Sequence, residues 1–245
     1  MSKELLFISV FNLGGITLAL NHLESLRRQN IKNYKAYVTD QESYDIVKEK
    51  GHPVEIVIED SDTSLTKDKA NFGTHEFNTM SYTRYKVILD LLNKGQNVWY
   101  LDIDTVVLQN LNDVYDELKN TRYHAVMQDD INMLCTGCML LFPKPVTIKL
   151  VQSIYENRTS ADNDQIILLN ILMNNPNAIN ILPLNKLQFP NGLLYFSELN
   201  DNPNYRELQL QFRQSNYPVY FVHANWMVGM ETKIDAFKKK RLWFV

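Results

Sequence analysis

The sequence predicts an α/β fold: a mixed, mainly parallel central sheet flanked by helices, as a single domain over residues 1–245. Three observations predict it. The N-terminal stretch alternates short apolar runs with helical periods in the order β-α-β-α-β, the pattern of parallel strands joined by crossover helices. The runs "LLFISVF" and "VWYL" read as buried strands. The polar residues best suited to chemistry then stand at strand ends, where ligands of open α/β sheets bind.

Taken in order, "LLFISVF" (Leu5 to Phe11) is closed by Asn12 and the turn Gly14-Gly15. "ITLALNHLESLRRQN" carries Ile16, Leu20, Leu23 and Leu26 at a helical period. "KAYVTD" is a second strand ending on Asp40, "QESYDIVKEKG" a short polar helix stopped by Gly51, and "PVEIVIED" a third strand. Ser61 to Glu76 is polar and aperiodic and reads as a loop. "NTMSYTRYKVILDLLNKG" reads as a helix capped by Asn78 or Thr79 and ended by Gly95. "NVWYLDIDTVVLQNL" (Asn97 to Leu111) is the next strand. "NDVYDELKN" predicts a short helix, "HAVMQ" a strand, and "CMLLFPKP" a strand closed by prolines. "PVTIKLVQSIYEN" and "DNDQIILLNILMNN" read as helices, and the last quarter as loop-rich. No repeat, low-complexity tract or linker divides the chain. A nucleotide-type N-terminal half, 1–110, is expected to pack against a loop-rich C-terminal half, 111–245.

Composition excludes several classes. With 45% hydrophobic and 22% charged residues, 245 residues can bury an ordinary core without a metal or disulfide staple. A net charge of −3, with the only basic block at Lys238 to Arg241, argues against nucleic acid as a partner. That block is expected to be a solvated helix end. Cys135 and Cys138 form a C-x-x-C pair, but no second pair completes a zinc site, and both are expected to be buried thiols. The N-terminal apolar run is too short for a signal peptide, and no stretch approaches the ~20 residues of a membrane span. A soluble, cytoplasmic protein is expected.

Within "NVWYLDIDTVVLQNL", Asp102 and Asp104 interrupt an apolar run. Residues i and i+2 of an extended chain project to one side, so the two carboxylates converge and Ile103 turns to the core. Converging carboxylates repel unless a proton or cation lies between them. A hard divalent ion, Mn²⁺ or Mg²⁺, meets that need and keeps positions open for phosphate oxygens. A pair of solvated turn aspartates would satisfy the bare D-x-D equally well. "DIDTVV" also approaches the first motif of the haloacid-dehalogenase-type phosphatases, in which Asp102 would be a nucleophile. That motif usually sits on the first strand of its domain, whereas about 100 residues precede it here.

A longer series of motifs favours another relationship. "LLNKGQNVWYLDIDTVVL" (Leu91 to Leu108) is followed by "TGCMLLFP" (Thr136 to Pro143), "DNDQ" (Asp162 to Gln165), "FPNG" (Phe189 to Gly192), "HANWMVGMETK" (His223 to Lys233) and a closing Leu242-Trp243. In order and spacing these resemble the nucleotide-diphospho-sugar transferases around glycosyltransferase family 77, over roughly Tyr82 to Trp243. The resemblance implies a GT-A fold and metal-dependent transfer of a sugar, with retention, from a nucleoside diphosphate sugar, by family UDP-linked. The acceptor would be a hydroxyl of a glycan or glycoconjugate. It implies that His223 joins Asp102 and Asp104 as a metal ligand and that Lys233, downstream of Gly229, meets the diphosphate. Arg84, with Lys86 as alternate, would approach the nucleotide or diphosphate. Asp164 and Gln165 would face the donor sugar, Asp164 or Asp162 would stabilise charge at the anomeric carbon, and Thr136-Gly137 would let the chain pass close to it. By position Asn12, Thr39 and Asp40 would bracket ribose and base, and Ile103 counts with the nucleotide-binding residues. Asp129 and Asp130 lie where an inverting enzyme would need a base. A nucleotide-sugar-binding module that has lost transfer is the non-enzymatic alternative.

Overall fold

The computed structural model describes residues 4–57, 75–158, 163–175 and 178–245, without the side chains of 75–81. The first strand, β1 (Leu5–Phe11), feeds α1 (Ile16–Arg28) through a single 3-10 turn, and β2 (Tyr34–Val38), α2 (Gln41–Glu49) and β3 (Val54–Ile56) follow. β1 pairs in parallel with β2 and with β4 (Asn97–Leu101), and β2 with β3. The β-α-β-α-β reading therefore matches the described part. Most of the expected loop at Ser61 to Glu76 lies outside the described residues; its last two residues belong to α3 (His75–Asn93), which starts before the expected Asn78 or Thr79 cap.

Among the described residues the main sheet runs β3-β2-β1-β4-β7-β6-β8, with β6 (Ala125–Asp129), β7 (Leu134–Leu141) and β8 (Ile181–Leu184). β7 is antiparallel to both β4 and β6, and β6 is parallel to β8, so the sheet is mixed and mainly parallel. Both faces are covered, and the strands alternate between two cores. Phe7, Phe11, Trp99 and Leu101 pack under α1, α2 and α4 (Leu111–Leu118), whereas Ile8, Val10, Val98 and Tyr100 pack under α3, α5 (Pro145–Glu156) and α6 (Asp164–Asn174). Period-two alternation with apolar residues on both sides makes a strand read as one continuous hydrophobic run.

Three differences from the sequence reading bear on function. The expected single strand at Asn97 to Leu111 breaks: β4 stops at Leu101, the chain turns over Asp102 to Asp104, and β5 (Thr105–Val107) leaves the main sheet. β5 pairs instead with β9 (Phe221–His223), Thr105 opposite His223, in a separate two-stranded ribbon. β7 begins at Leu134 rather than Cys138 and carries a bulge. Met127 opposes Met139 but Gln128 opposes Cys135, so Thr136, Gly137 and Cys138 have no counterpart on β6. Extra residues of this kind re-aim side chains and recur beside active sites. The last quarter is less loop-rich than expected, with α7 (Gly192–Tyr195), α8 (Pro203–Gln214) and α9 (Met230–Lys239) besides β8 and β9. The signal for α8 is present in "NPNYRELQLQF": Asn202 caps Asn204 N and Pro203 stands at the first turn.

The closing Leu242-Trp243 packs with Phe244, Val106, Ala224 and Phe237 over the β5–β9 ribbon. Lys238 to Arg241 are exposed at the end of α9. No helix among the described residues is long and apolar enough to cross a membrane. Cys135 and Cys138 are both buried free thiols.

Candidate functional site: a carboxylate and imidazole cluster at the end of β4

Three chain segments meet where β4 ends. Asp102 and Asp104 come from the turn after β4, His223 from the end of β9, and Gly137 from the β7 bulge. One ligand atom from each of Asp102, Asp104 and His223 lies within 4.8 Å of the others. His223 Nε2 is 3.1 Å from Asp104 Oδ1 and 3.8 Å from Asp102 Oδ2. The register that places Thr105 opposite His223 is what brings residues 119 apart in sequence together. Their backbones are also joined, Ala224 N to Asp104 O at 2.9 Å.

The arrangement is braced from several directions. Asp102 N donates to Gly137 O at 2.8 Å, which locks the bulge against the D-x-D turn. A methyl group on Gly137 would lie 2.4 Å from Asp102 Oδ2 and 2.6 Å from His223 Cε1, so only glycine fits there. Beneath the turn, Ser9 Oγ reaches Leu101 O at 2.7 Å and His22 Nδ1 reaches Thr105 O at 2.7 Å, pinning both ends of the turn to β1 and α1. Burial pushes the His22 imidazole down to about 4, against the pull of the Thr105 carbonyl and the nearby aspartates, so it is neutral at pH 7.

His223 has the orientation that a metal ligand would need. Its Nδ1 lies 2.8 Å from Gln128 Oε1, an acceptor, so Nδ1 carries the proton and Nε2 faces the aspartates. Orientation of this kind is what a metal-bound imidazole requires. Burial disfavours the imidazolium, but the Asp104 charge outweighs it and holds His223 well above its ordinary value when no metal competes. Burial likewise works against the charges on Asp104 and Lys233. Lys233 and His223 nonetheless hold Asp104 below the usual carboxylate range, and Asp104 holds the Lys233 ammonium up. Lys233 Nζ donates to Asp104 Oδ2 at 2.6 Å. It gets there because Gly229, at φ 89°, starts α9 from a backbone conformation that other residues rarely adopt. Two carboxylates and a neutral imidazole on one point, with an ammonium at the rim, are a donor set suited to a hard or borderline divalent ion.

Two predictions arise here. Gln128→Leu keeps the volume of the side chain but frees the imidazole, and Mn²⁺ affinity should fall about 10–100-fold by calorimetry. Because the proton on His223 Nε2 and a metal ion compete for one lone pair, Mn²⁺ affinity should fall about tenfold per pH unit below the raised His223 value. In the metal-free protein the sign reverses. The imidazolium contact with Asp104 contributes stability that is complete below pH ~6.5 and is lost as pH rises through the raised value. Calorimetry and urea unfolding across pH, with and without Mn²⁺, check both signs.

The other expected site residues divide into those that join the cluster and those that do not. Arg84, on α3, is buried and sits between two carboxylates, donating to Asp102 Oδ1 at 3.0 Å and pairing closely with Asp164 Oδ2. Burial disfavours its charge, but Asp164 and the surrounding tyrosines keep it protonated. Tyr100 OH donates to Asp102 Oδ1 at 2.6 Å, Tyr85 OH to Asp164 Oδ2 at 2.5 Å and Thr136 Oγ1 to Asp164 Oδ1 at 3.1 Å. The resemblance implies Arg84 on the diphosphate and Asp164 on the sugar; the structure instead has them holding each other, Asp102 and Thr136. Lys86 lies on α3, partly buried and engaged. Gln165 lines a cavity of about 270 Å³ with Leu134, Leu168 and Pro183. Ile103 is partly buried and packs between β1 and the β5–β9 ribbon.

At the ends of β1 and β2, Asp40 caps α2, its Oδ1 accepting from Ser43 N at 2.8 Å and its Oδ2 from Leu13 N at 2.9 Å. Both oxygens are engaged, so the geometry gives no support to the base or ribose contact expected of it. Thr39 Oγ1 is buried with no partner among the described residues, and Asn12 is buried and engaged beside it. Asp130 is drawn into the loop after β9: Oδ1 accepts from Asn191, Asn225 and Trp226 at 2.8, 3.0 and 2.7 Å. Asp162 lies outside the described residues. Ser9, His22, Tyr100 and Gln128 are the supports that sequence reasoning missed. Gln128 carried the one usable signal, as a polar residue at the end of an apolar strand.

Comparisons with known proteins identify the family and the fold. The pattern of the family described as nucleotide-diphospho-sugar transferase matches residues 29–237. A UDP-galactose:fucoside alpha-3-galactosyltransferase of Dictyostelium discoideum is 25% identical over 206 residues, 74% of this chain and 30% of that protein. The UDP-D-xylose:L-fucose alpha-1,3-D-xylosyltransferase MGP4 of Arabidopsis thaliana is 24% identical, over 71% of this chain and 52% of that protein. This chain thus spans about half or less of the length of these relatives. Among solved structures, the galactosyltransferase LgtC, in complex with donor and acceptor sugar analogs, superposes with a TM-score of 0.58 at 14% identity, covering 98% of this chain and 95% of LgtC. The apo mouse xyloside xylosyltransferase 1 gives 0.56 at 13% identity, covering 94% and 99%. The fold is that of the GT-A glycosyltransferases, and the family match sets aside the phosphatase reading of Asp102. With the family pattern running from Gln29 to Phe237 and the D-x-D turn within it, the chain belongs to the nucleotide-diphospho-sugar transferase family.

Proposed function

We propose that this chain transfers a glycosyl group from a UDP-sugar to a hydroxyl of a glycan or glycoconjugate acceptor, with retention of configuration. The observation that carries the proposal is the convergence of Asp102, Asp104 and His223 on one point with Lys233 at its edge. The relatives' names point to galactose or xylose as the sugar moved and to a fucose-bearing acceptor.

In the proposed division of labour, residues 1–110 supply most of the nucleotide site and 111–245 the sugar and acceptor site. Asp102, Asp104 and His223 would hold Mn²⁺ or Mg²⁺. Bound there, the ion supplies positive charge to the departing diphosphate. Lys233 adds a mobile ammonium beside it, and its bond to Asp104 keeps it charged and aimed. Gly137 leaves room for the Asp102 carboxylate and the His223 ring to close on one point, where a side chain would push them apart. The transition state has oxocarbenium character, as in glycoside hydrolysis. Asp164 acts on it through Thr136, whose hydroxyl it holds, and Arg84 keeps Asp164 in place.

Calorimetry with UDP and Mn²⁺, followed by UDP release from a panel of UDP-galactose, UDP-xylose and UDP-glucose, tests the proposal. Mn²⁺-dependent UDP binding and release from at least one donor are expected. Binding without release or transfer would identify a nucleotide-sugar-binding module; absence of Mn²⁺-dependent UDP binding would overturn the site.

A further inference from the structure

The loop between β9 and α9 is built unlike its neighbours. Trp226 has φ 64°, a region that bulky residues rarely occupy and that strained positions at binding sites do. Despite the strain the loop is firmly held. Trp226 Nε1 donates to Asp130 Oδ1 at 2.7 Å, and Asn225 Nδ2 donates to the same oxygen at 3.0 Å. Gly192 N donates to Asn225 Oδ1 at 3.2 Å, and a Cβ on Gly192 would lie 1.9 Å from Asn225 O, so the loop backbone sits flush against α7. Tyr205, on α8, meets the indole edge-on with ring centroids 5.6 Å apart and an interplanar angle of 78°. Its hydroxyl is fixed in turn by Asn132 Nδ2 at 3.0 Å.

These contacts fix the rim of the indole and leave it accessible: Trp226 is 43% exposed and Val228, two residues on, 87%. Met227 between them packs inward with Phe237. An apolar ring that is oriented by a buried carboxylate, braced edge-on and left open to solvent is a binding surface rather than a core residue, because a core indole would be covered. Its position is set by the chain. Trp226 is three residues beyond His223, and three residues span at most about 11 Å. The loop that carries the indole thus adjoins the imidazole: Asn225 Nδ2 lies 3.9 Å from Cys135 Sγ, which is 3.8 Å from His223 Nδ1. The indole is tied to Asp130, whereas Arg84 is tied to Asp102.

The geometry points to Trp226 as the platform on which the acceptor pyranose stacks. Its apolar C–H face would lie on the indole, and its hydroxyls would be turned toward the polar groups around Asp130. A pyranose has one face richer in C–H bonds, and an aromatic face is electron-rich, so the two attract with a defined orientation. Asp130 is then a positioning residue, acting through the indole N–H and the Asn225 amide. The inference rests on the glycosyltransferase reading of the site and assigns its acceptor half.

The test separates the two. With saturating UDP-sugar and Mn²⁺, Trp226→Ala should raise the acceptor KM at least tenfold, while the dissociation constant for UDP with Mn²⁺ changes less than twofold. Trp226→Phe, which keeps a ring but loses the N–H, should recover most of the KM. Independently of turnover, methyl pyranosides of fucose, galactose, glucose and xylose should change the tryptophan fluorescence of the wild type in the presence of UDP and Mn²⁺. Trp226→Phe should abolish that change and Trp243→Phe should preserve it, since Trp99 is fully buried and Trp243 is half-buried in the C-terminal apolar cluster beneath Lys238. An unchanged acceptor KM in Trp226→Ala, or pyranoside binding that leaves the indole emission untouched, would overturn the platform. Equal losses in UDP and acceptor binding would reduce it to a structural residue. Failure of UDP release in the wild type with pyranoside-dependent quenching intact would instead count against the transfer reading.

Discussion

Asp102→Asn should lower Mn²⁺-dependent release of UDP by about 10³-fold, the scale expected when a group that stabilises leaving-group charge is removed from a preorganised site. Asparagine keeps the volume and one acceptor oxygen, so the turn over Asp102 to Asp104 and its Gly137 contact persist. The protein should stay folded, with a stability loss of about 1–3 kcal/mol from weakening the Arg84 and Tyr100 contacts. Asp104→Asn should lose turnover as well but at greater cost to the fold, because Asp104 is buried against Lys233 and His223, whereas Asp102 is partly exposed. Steady-state UDP release paired with urea unfolding reads both quantities. Turnover near wild type in Asp102→Asn would sink the metal site.

The second large effect concerns Arg84. Arg84→Met removes the cation between Asp102 and Asp164 and leaves Asp164, whose side chain is 8% exposed, without its charge partner. Breaking a buried pair from one side typically costs about 3–5 kcal/mol, so the urea midpoint should fall steeply. Arg84→Lys should recover little, since a single ammonium cannot bridge two carboxylates as a planar guanidinium does. The result also decides between two roles. A residue that contacted the diphosphate directly would weaken UDP binding with little change in stability; a residue that ties Asp102 to Asp164 loses stability first.

The parts of the site that were legible in the sequence are those whose chemistry is local. Asp102 and Asp104 announce themselves because alternation along an extended chain forces i and i+2 together, and His223 stands out at the end of an apolar strand. Long-range geometry was not legible. Gln128 reaches His223 only because β7 gains residues at its bulge, and no periodicity marks that. The break after Leu101 was hidden because Thr105 to Val107 is as apolar as Val98 to Leu101, and only pairing with β9 sends it elsewhere. Asp40 reads alike as helix cap or ligand, and Arg84 alike as nucleotide contact or buried tie; in each case the partners, distant in sequence, decide.

The pairing of Thr105 with His223 reaches beyond catalysis. Asp104 precedes one strand of that ribbon and His223 ends the other, so the proposed ion-binding group is complete only when the C-terminal segment has folded back over the centre of the chain. A divalent cation bound there acts as a clasp. It favours the closed chain by RT ln(1 + [ion]/Kd), about 2.7 kcal/mol at a concentration a hundred times the Kd. Metal supply would therefore govern how long this protein survives as well as how fast it works.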